Sequence, residues 1–597
     1  STLSLAFQGD GGGLTTVLAP PGGNAYSGST TVTGGYLAID GGTVDFTDDN
    51  GTPGDSGDDF DVYTLDALGS NPDVILEQRG KLALQVPVST LPSIAVNSEG
   101  AICVGAENQD ASVLSDVLTR DVGVFLAARD VTYTYDAPTL DPASDGVYRL
   151  GGGGKDAGGG GEDLLIIGET NSNILTGDNA LLVGIEGDDG GYQWADAVGS
   201  RVRLATANDF TGGTTIRGGV DNDGNLSHIL QIYAPGALGT GGVVNHGRLE
   251  LGGAGSVADG TGDNSVSIAF EQGSELVFDN NNQLIDRWGD DAPLSLEGAL
   301  LRMDGRDDTG SAEDIGDLEL AGGNRMVFDR DGTGTAFIAA DNITRDPKTT
   351  LAIDPDGDGG GVLGVETGLT YSGVAPMTTG TAGNPQGLLI GAINEDTGRL
   401  VTNDGTGNIV EAAADSTDIN STGYVVTDID QTLTGGNTVL AVSTGDHAIA
   451  GSGTLSVGDG TAAMWSKTGG SGVNVMPDII FDGEAIIYVD DDGPMFQGNV
   501  QATNGLVKYG AGWARIDGTA DIDGGIAIHN GTLSFAEANL SADIDLNDTP
   551  VDIARAGKLD AAAGSHLLQI GPLTGKGAIE SPQAGGNPGG HGLSIVV

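Results

Sequence analysis

Cysteine is almost missing: Cys103 is the only one in 597 residues. No intrachain disulfide can form, so the fold must be held by packing, hydrogen bonds or metal. Cations are scarce, 24 Lys and Arg against 84 Asp and Glu, for a formal net charge of −60. Such a chain cannot neutralise a phosphate backbone or settle on an anionic membrane, which argues against nucleic acid and lipid surfaces as partners. No hydrophobic run approaches the ~20 residues of a membrane span. The opening "STLSLAFQGD" lacks the basic and apolar regions of a signal peptide, so an exported form would be numbered from after signal removal. Aromatic residues are only 5%, low for a propeller. With 20 prolines and no Gly-X-Y period, collagen is excluded. Helical periodicity is nearly absent too. The exceptions are 112–130, read as an inserted helix or mixed segment, and the Ala-rich 559–568.

Glycine, by contrast, is plentiful, at 105 residues. "FTGGTTIRGG" (210–219) and its near copy "YSGSTTVTGG" (26–35) each hold a Thr/β-branched run between glycine pairs. Runs at 35–46, 247–253, 265–270, 274–281 and 453–460 are β-branched or alternate every second residue, as strands with one buried face do. The Gly and Asn/Asp pairs between them supply turn positions that need positive φ. Strands this short, and a phrase returning at irregular distances, favour stacked turns with loop insertions over a sandwich or propeller. The expected fold is all-β, a parallel β-helix with a decorated N-terminal region. At this length it needs more than one core. The expected divisions are 1–150 with insertions, 151–345, 346–450 with an acidic turn, and 451–597. "GGGGKDAGGGGED" (151–163) is either a linker or a surface loop.

"NDFTGGTTIRGG" (208–219) followed by "APGALGTGGVVNHGRLELGG" (234–253) resembles the autotransporter-associated β-strand repeat. "LVKYGAGWARIDG" (506–518) and "DIDGGIAIHNGTLSF" (521–535) are similar to further phrases of that family. "YRLGGGG" (148–154) and 315–345 are similar to segments of large repeat-rich surface proteins of planctomycete and verrucomicrobial type. The matches cover about half the chain and bear on architecture rather than activity. The resemblance implies an exported, right-handed parallel β-helix displayed outside a bacterial cell. The sequence departs from the family in that no translocator barrel or hydrophobic anchor follows Val597, which sets autotransporter secretion apart from the expected rod.

The strongest chemical signal is "IDPDGDGGG" (353–361). Asp354, Asp356 and Asp358 alternate, with Gly359 at the sixth position, as in the opening of a calcium loop. The twelfth position is Val365 and Glu366 comes one step late, so this is no complete EF-hand. Weaker versions are Asp221 and Asp223, Asp329 and Asp331, and "VDDDG" (489–493). Ca2+ is therefore the one cofactor expected, against the plainer reading of solvated acidic turns. "GDSG" (54–57) lacks a protease context, and the six histidines show no metal spacing. Carboxylate pairs such as Asp290–Asp291 arise by chance among 84 acids. Trp194, Trp288, Trp465 and Trp513 are candidate sugar platforms, Trp513 reading rather as core.

The expected function is structural and not enzymatic: an extracellular or cell-surface protein joining other copies of itself into a filament, sheath or layer. The apolar terminal strands 2–7 and 592–597 are the candidates for joining, with Ca2+ or salt screening the acidic surface. The alternative is an adhesin or glycan-binding rod. A polysaccharide enzyme would need convergent acids beside Arg or Lys.

Overall fold

The computed structural model describes residues 5–7, 30–32, 36–39, 73–76, 81–84, 91, 93–94, 544–546, 551–561, 568–570, 572–575 and 577–580. It also describes 98–535 except 106–108, 112, 116–122, 130, 153–162, 186–199, 220–225, 227, 259–263, 265, 282–285, 307–308, 331, 356, 358–360, 374–377 and 380–386. Two compact units emerge, Ser1–Gly289 and Asp290–Val597. The regular structure described in both is almost wholly strand. Helix among the described residues is confined to 111 and 113–115, so the segment at 112–130 is mixed: it runs on into the buried strand Phe125–Ala128. No helix there is long and apolar enough to cross a membrane.

In the first unit every pairing between the described strands is parallel. One ladder runs through Tyr36–Ile39, Lys81–Leu84, Ala101–Val104, Phe125–Ala128, Val147–Leu150, Ala180–Val183, Thr214–Ile216, Val243–Asn245 and Ile268–Phe270. A second joins Thr132–Tyr135, Leu164–Ile167, Ser200–Leu204, His228–Ile232, Arg248–Leu251 and Glu275–Asp279. A third contains Leu5–Phe7, Thr30–Val32, Asp73–Leu76 and Ser93–Ile94. Both copies of the Thr/β-branched phrase are thus ladder strands. Gly213 precedes one of them at φ +87°, in the left-handed region, where a Cβ would also meet the Gly242 carbonyl at 2.8 Å.

Alternation decides which side chains turn in. Val202, Leu204, Leu230, Ile232, Leu249, Leu251, Leu276 and Phe278 are fully buried and stack across the second ladder in register. Each such side chain stabilises the fold by about 1.5–3 kcal/mol. Their neighbours at odd steps are thereby held on the opposite face, and this positions the site described below.

The second unit repeats the plan twice. Within it Leu294–Glu297, Leu300–Asp304 and Ser311–Ile315 pair in parallel with Leu318–Ala321, Gly323–Asp329 and Ala336–Ala340, and these in turn with Ile343–Arg345, Thr350–Asp354 and Thr367–Tyr371. The parallel expectation then fails locally: Leu388–Asn394, Arg399–Asn403 and Ile409–Glu411 pair antiparallel. The cause is turn chemistry. Turns of four and five residues, at 395–398 and 404–408, are too short for a parallel crossover, and Gly398, Gly405 and Gly407 take positive φ. Beyond them, three ladders resume in rotation. One column keeps Tyr424, Ala441, Met464, Ile486, Val507, Ala527, Asp552 and Thr574 in parallel register.

From Ala441 to Tyr509 the strands of this column are buried on both faces. Val442, Trp465, Ile487 and Leu506 fill one core, while Ala441, Met464, Ile486 and Val507 lie against Leu388, Ile390 and Leu400 of the hairpins. Continuous apolar runs such as "AIIYV" are the sequence form of a strand covered on both sides. The Ala-rich 559–568 expectation is corrected here. Leu559–Ala561 end the strand Val551–Ala561, because in-register partners at Leu533–Phe535 outweigh alanine's helical preference.

Candidate functional site

Asp354 ends a strand, and its Oδ2 accepts a 2.8 Å hydrogen bond from the guanidinium of Arg325, whose Nε donates to Glu395 at 2.6 Å. Burial raises the Glu395 pKa, and Arg325 works against it. Asp329 ends the strand before, in register with Asp304. Asp356, Asp358, Asp221, Asp223 and Asp331 lie outside the described residues. Asp492 accepts from the Trp513 indole at 2.8 Å. Among the described residues, no group of three or more His, Cys, Asp or Glu side chains could hold a metal ion. The calcium expectation therefore rests on turns outside them.

The tryptophans do not form an open platform among the described residues. Trp288 packs 6.3 Å from Phe278 and Trp465 5.4 Å from Phe496, both edge-on and buried, and Trp513 is half-buried at the start of its strand. Trp194 lies outside, as do 54–57, His566 and His591. His228 and His529 are buried, and His447 stands 3.8 Å from Asp430.

What the structure does assemble is a mixed-charge face that none of those motifs announced. On the second ladder of the first unit, burial of Val202 and Leu204 turns Arg201 and Arg203 outward. Register then lines up Arg201, Ile229, Arg248 and Glu275 in one column, and Arg203, Gln231, Glu250 and Val277 in the next. Arg203 Nε donates to Gln231 Oε1 at 2.9 Å, and Gln231 Nε2 donates to Glu250 Oε1 at 2.7 Å. Arg248 donates to the other oxygen of Glu250 at 3.1 Å. Its Nε is buried without a hydrogen bond, 3.9 Å from Glu275 Oε2.

Tyr233 completes the face. The Arg203 guanidinium carbon lies 3.9 Å from its ring centroid, a cation–π contact. The ring rests on Gly252 and Gly253, where a Cβ would fall 2.8 and 2.7 Å from ring carbons, so only glycine admits it. Burial pushes the Glu250 pKa up, Arg248 opposing, and burial raises Tyr233 as well. Arg201 is different: it is half-buried and has no hydrogen bond or ion pair among the described residues. The face thus offers a positioned arginine network beside one guanidinium that makes no hydrogen bond, though its charge reaches Glu250. Its only sequence signal was "RVR" (201–203), two arginines at strand spacing in a chain with 24 cations.

Comparison with protein-family models, curated proteins and solved structures returns no match for the chain.

Proposed function

We propose that the chain is a structural, non-catalytic protein of the bacterial cell surface or extracellular space, akin to the autotransporter-associated repeat proteins. On this reading each unit is a right-handed parallel β-helix with inserted loops, and copies join into a filament, sheath or layer. The observation that carries the reading is the column from Tyr424 to Thr574, whose in-register partners lie about twenty residues apart with every pairing parallel. Ladders of that kind have ends with unpaired N–H and C=O groups, which invite another copy. Leu573–Gly575, the last described strand of that column, is exposed at all three residues. A surface at −60 repels its neighbours, so joining calls for Ca2+ or salt.

Electron microscopy of the purified chain in millimolar Ca2+, and again after chelation, tests this. Ordered filaments or sheets that dissolve on chelation are expected. Assembly indifferent to chelation would remove calcium from the reading, and monodisperse particles in both conditions would overturn self-assembly. A second reading, a glycan-binding rod, is favoured by the arginine face of the first unit, where Arg201 makes no hydrogen bond among the described residues.

A further inference from the structure

We propose that the outward face carrying Arg201, Arg203, Tyr233 and Arg248 binds a carboxylate-bearing glycan, with Arg201 gripping a uronate carboxylate. The inference deepens the glycan-binding reading and rests on it. Charge is the first argument. Cations are outnumbered more than three to one in this chain, yet three arginines occupy two adjacent columns of one ladder. The acids in those columns do not hydrogen-bond them all. Glu250 is held by Gln231 and Arg248, and Glu275 stands at the long distance of 3.9 Å from Arg248. Arg201 makes no hydrogen bond or close ion pair among the described residues, although its charge reaches Glu250. A planar guanidinium presents two parallel N–H donors that match a carboxylate bidentately, and a neutral hydroxyl cannot use that fork.

Rigidity is the second argument. Arg203 is fixed from both sides, by the Tyr233 ring and by Gln231, so little rotamer freedom is lost when a ligand arrives. The surroundings suit a sugar. The strand preceding Ser200–Leu204 places half-buried Ile166 beside Arg203, and the strand before that places half-buried Thr134 in the same column, whereas Leu164, beside Arg201, is buried. Hydroxyls, aliphatic carbon and guanidinium then succeed one another at the strand spacing of about 4.8 Å. A pyranose ring, with its apolar faces and polar rim, meets such a strip along its length.

The test is calorimetric titration of the full chain with oligogalacturonate in the presence of chelator, beside a sulfated dextran oligomer and a neutral glucan oligomer. The expected result is saturable binding of the uronate, weakened about ten-fold or more by Arg201→Gln and by Arg203→Gln. Arg201→Lys should restore part of the loss, and Arg399→Gln, an exposed pair in the other unit, should change nothing. Urea midpoints of the variants check that folding is intact. Unchanged affinity in Arg201→Gln overturns the proposal, as does equal or tighter binding of the sulfated oligomer. A neutral glucan bound equally well overturns the carboxylate assignment while keeping glycan binding. Wild-type chain that takes up no glycan overturns both, whatever electron microscopy shows of assembly.

Discussion

His529 lies against Gly323 and Thr350, its Nδ1 2.8 Å from the Thr350 hydroxyl, in a pocket that has no room for a side chain at Gly323. Burial pulls its pKa down to about 4; Asp552 opposes, while Arg345 and Lys508 add to the fall. The unfolded chain protonates this imidazole near 6.5, so between about 6.5 and 4 the unfolded state binds the extra proton. Stability is therefore complete above the unfolded pKa and is lost as pH falls through that window, by roughly 3 kcal/mol. Urea midpoints taken at about pH 7 and about pH 5 should drop less on acidification in His529→Asn than in the wild type. An equal drop in both would place the acid sensitivity elsewhere. Neither this pairing nor the arginine face was legible in the sequence. Thr350 and His529 are far apart along the chain, and Arg203, Gln231 and Glu250 are separated by loops of unequal length. The register of parallel strands joined by such loops is set by packing, which single-sequence alternation does not encode.

Among the strands and turns, the phrase Lys-x-Gly recurs with one geometry. Lys508 is fully buried, and its Nζ donates to the carbonyls of Tyr509 at 2.9 Å, Gly510 at 2.8 Å and Asn530 at 3.3 Å. Lys467, equally buried, donates to Thr468 at 2.6 Å, Gly469 at 2.9 Å and Asp446 Oδ1 at 3.1 Å. In each case the side chain curls over the turn that follows it and its amine donates to backbone carbonyls there. Burial pushes the Lys508 pKa well below the usual lysine value, whereas three acceptors match the three donors of an ammonium. Lys508→Met should cost about 2–4 kcal/mol in urea unfolding, since it leaves buried carbonyls unpaired. A cost below about 0.5 kcal/mol would mean that water replaces the amine there. The resemblance marks this lysine and the strand it belongs to, and the alternating runs mark strands such as Arg248–Leu251, Glu275–Asp279 and the start of Thr454–Lys467. The hairpins at 388–411 escaped because their apolar runs look like any other strand until the turn between them is weighed. Gly398 and the Asp404–Asn408 turn, where Asp404 accepts from the Thr406 and Asn408 amides, carried that information.

For the whole chain, electrostatics sets the terms. A formal charge of −60 means that folding gathers far more like charge than the described ion pairs can offset, and exposed pairs such as Arg399–Glu411 contribute little. Screening should therefore stabilise the protein, raising the melting temperature by a few degrees between ~0.05 and ~1 M NaCl, measured by scanning fluorimetry. A flat or falling profile would mean that specific ion pairs outweigh the net repulsion. The same measurement separates two ways in which calcium could act. Millimolar CaCl2 that merely screens gives the melting temperature of NaCl at equal ionic strength. Calcium held in acidic turns, of which the one opening at Asp354 is the best formed in sequence, adds a further rise that saturates with concentration, because a ligand bound only by the folded state stabilises it in proportion to the logarithm of its excess over Kd. Since Asp354 already accepts from Arg325, a saturating rise would have to survive Asp354→Asn if the ions bind at other turns, and would vanish with it if calcium displaces that arginine.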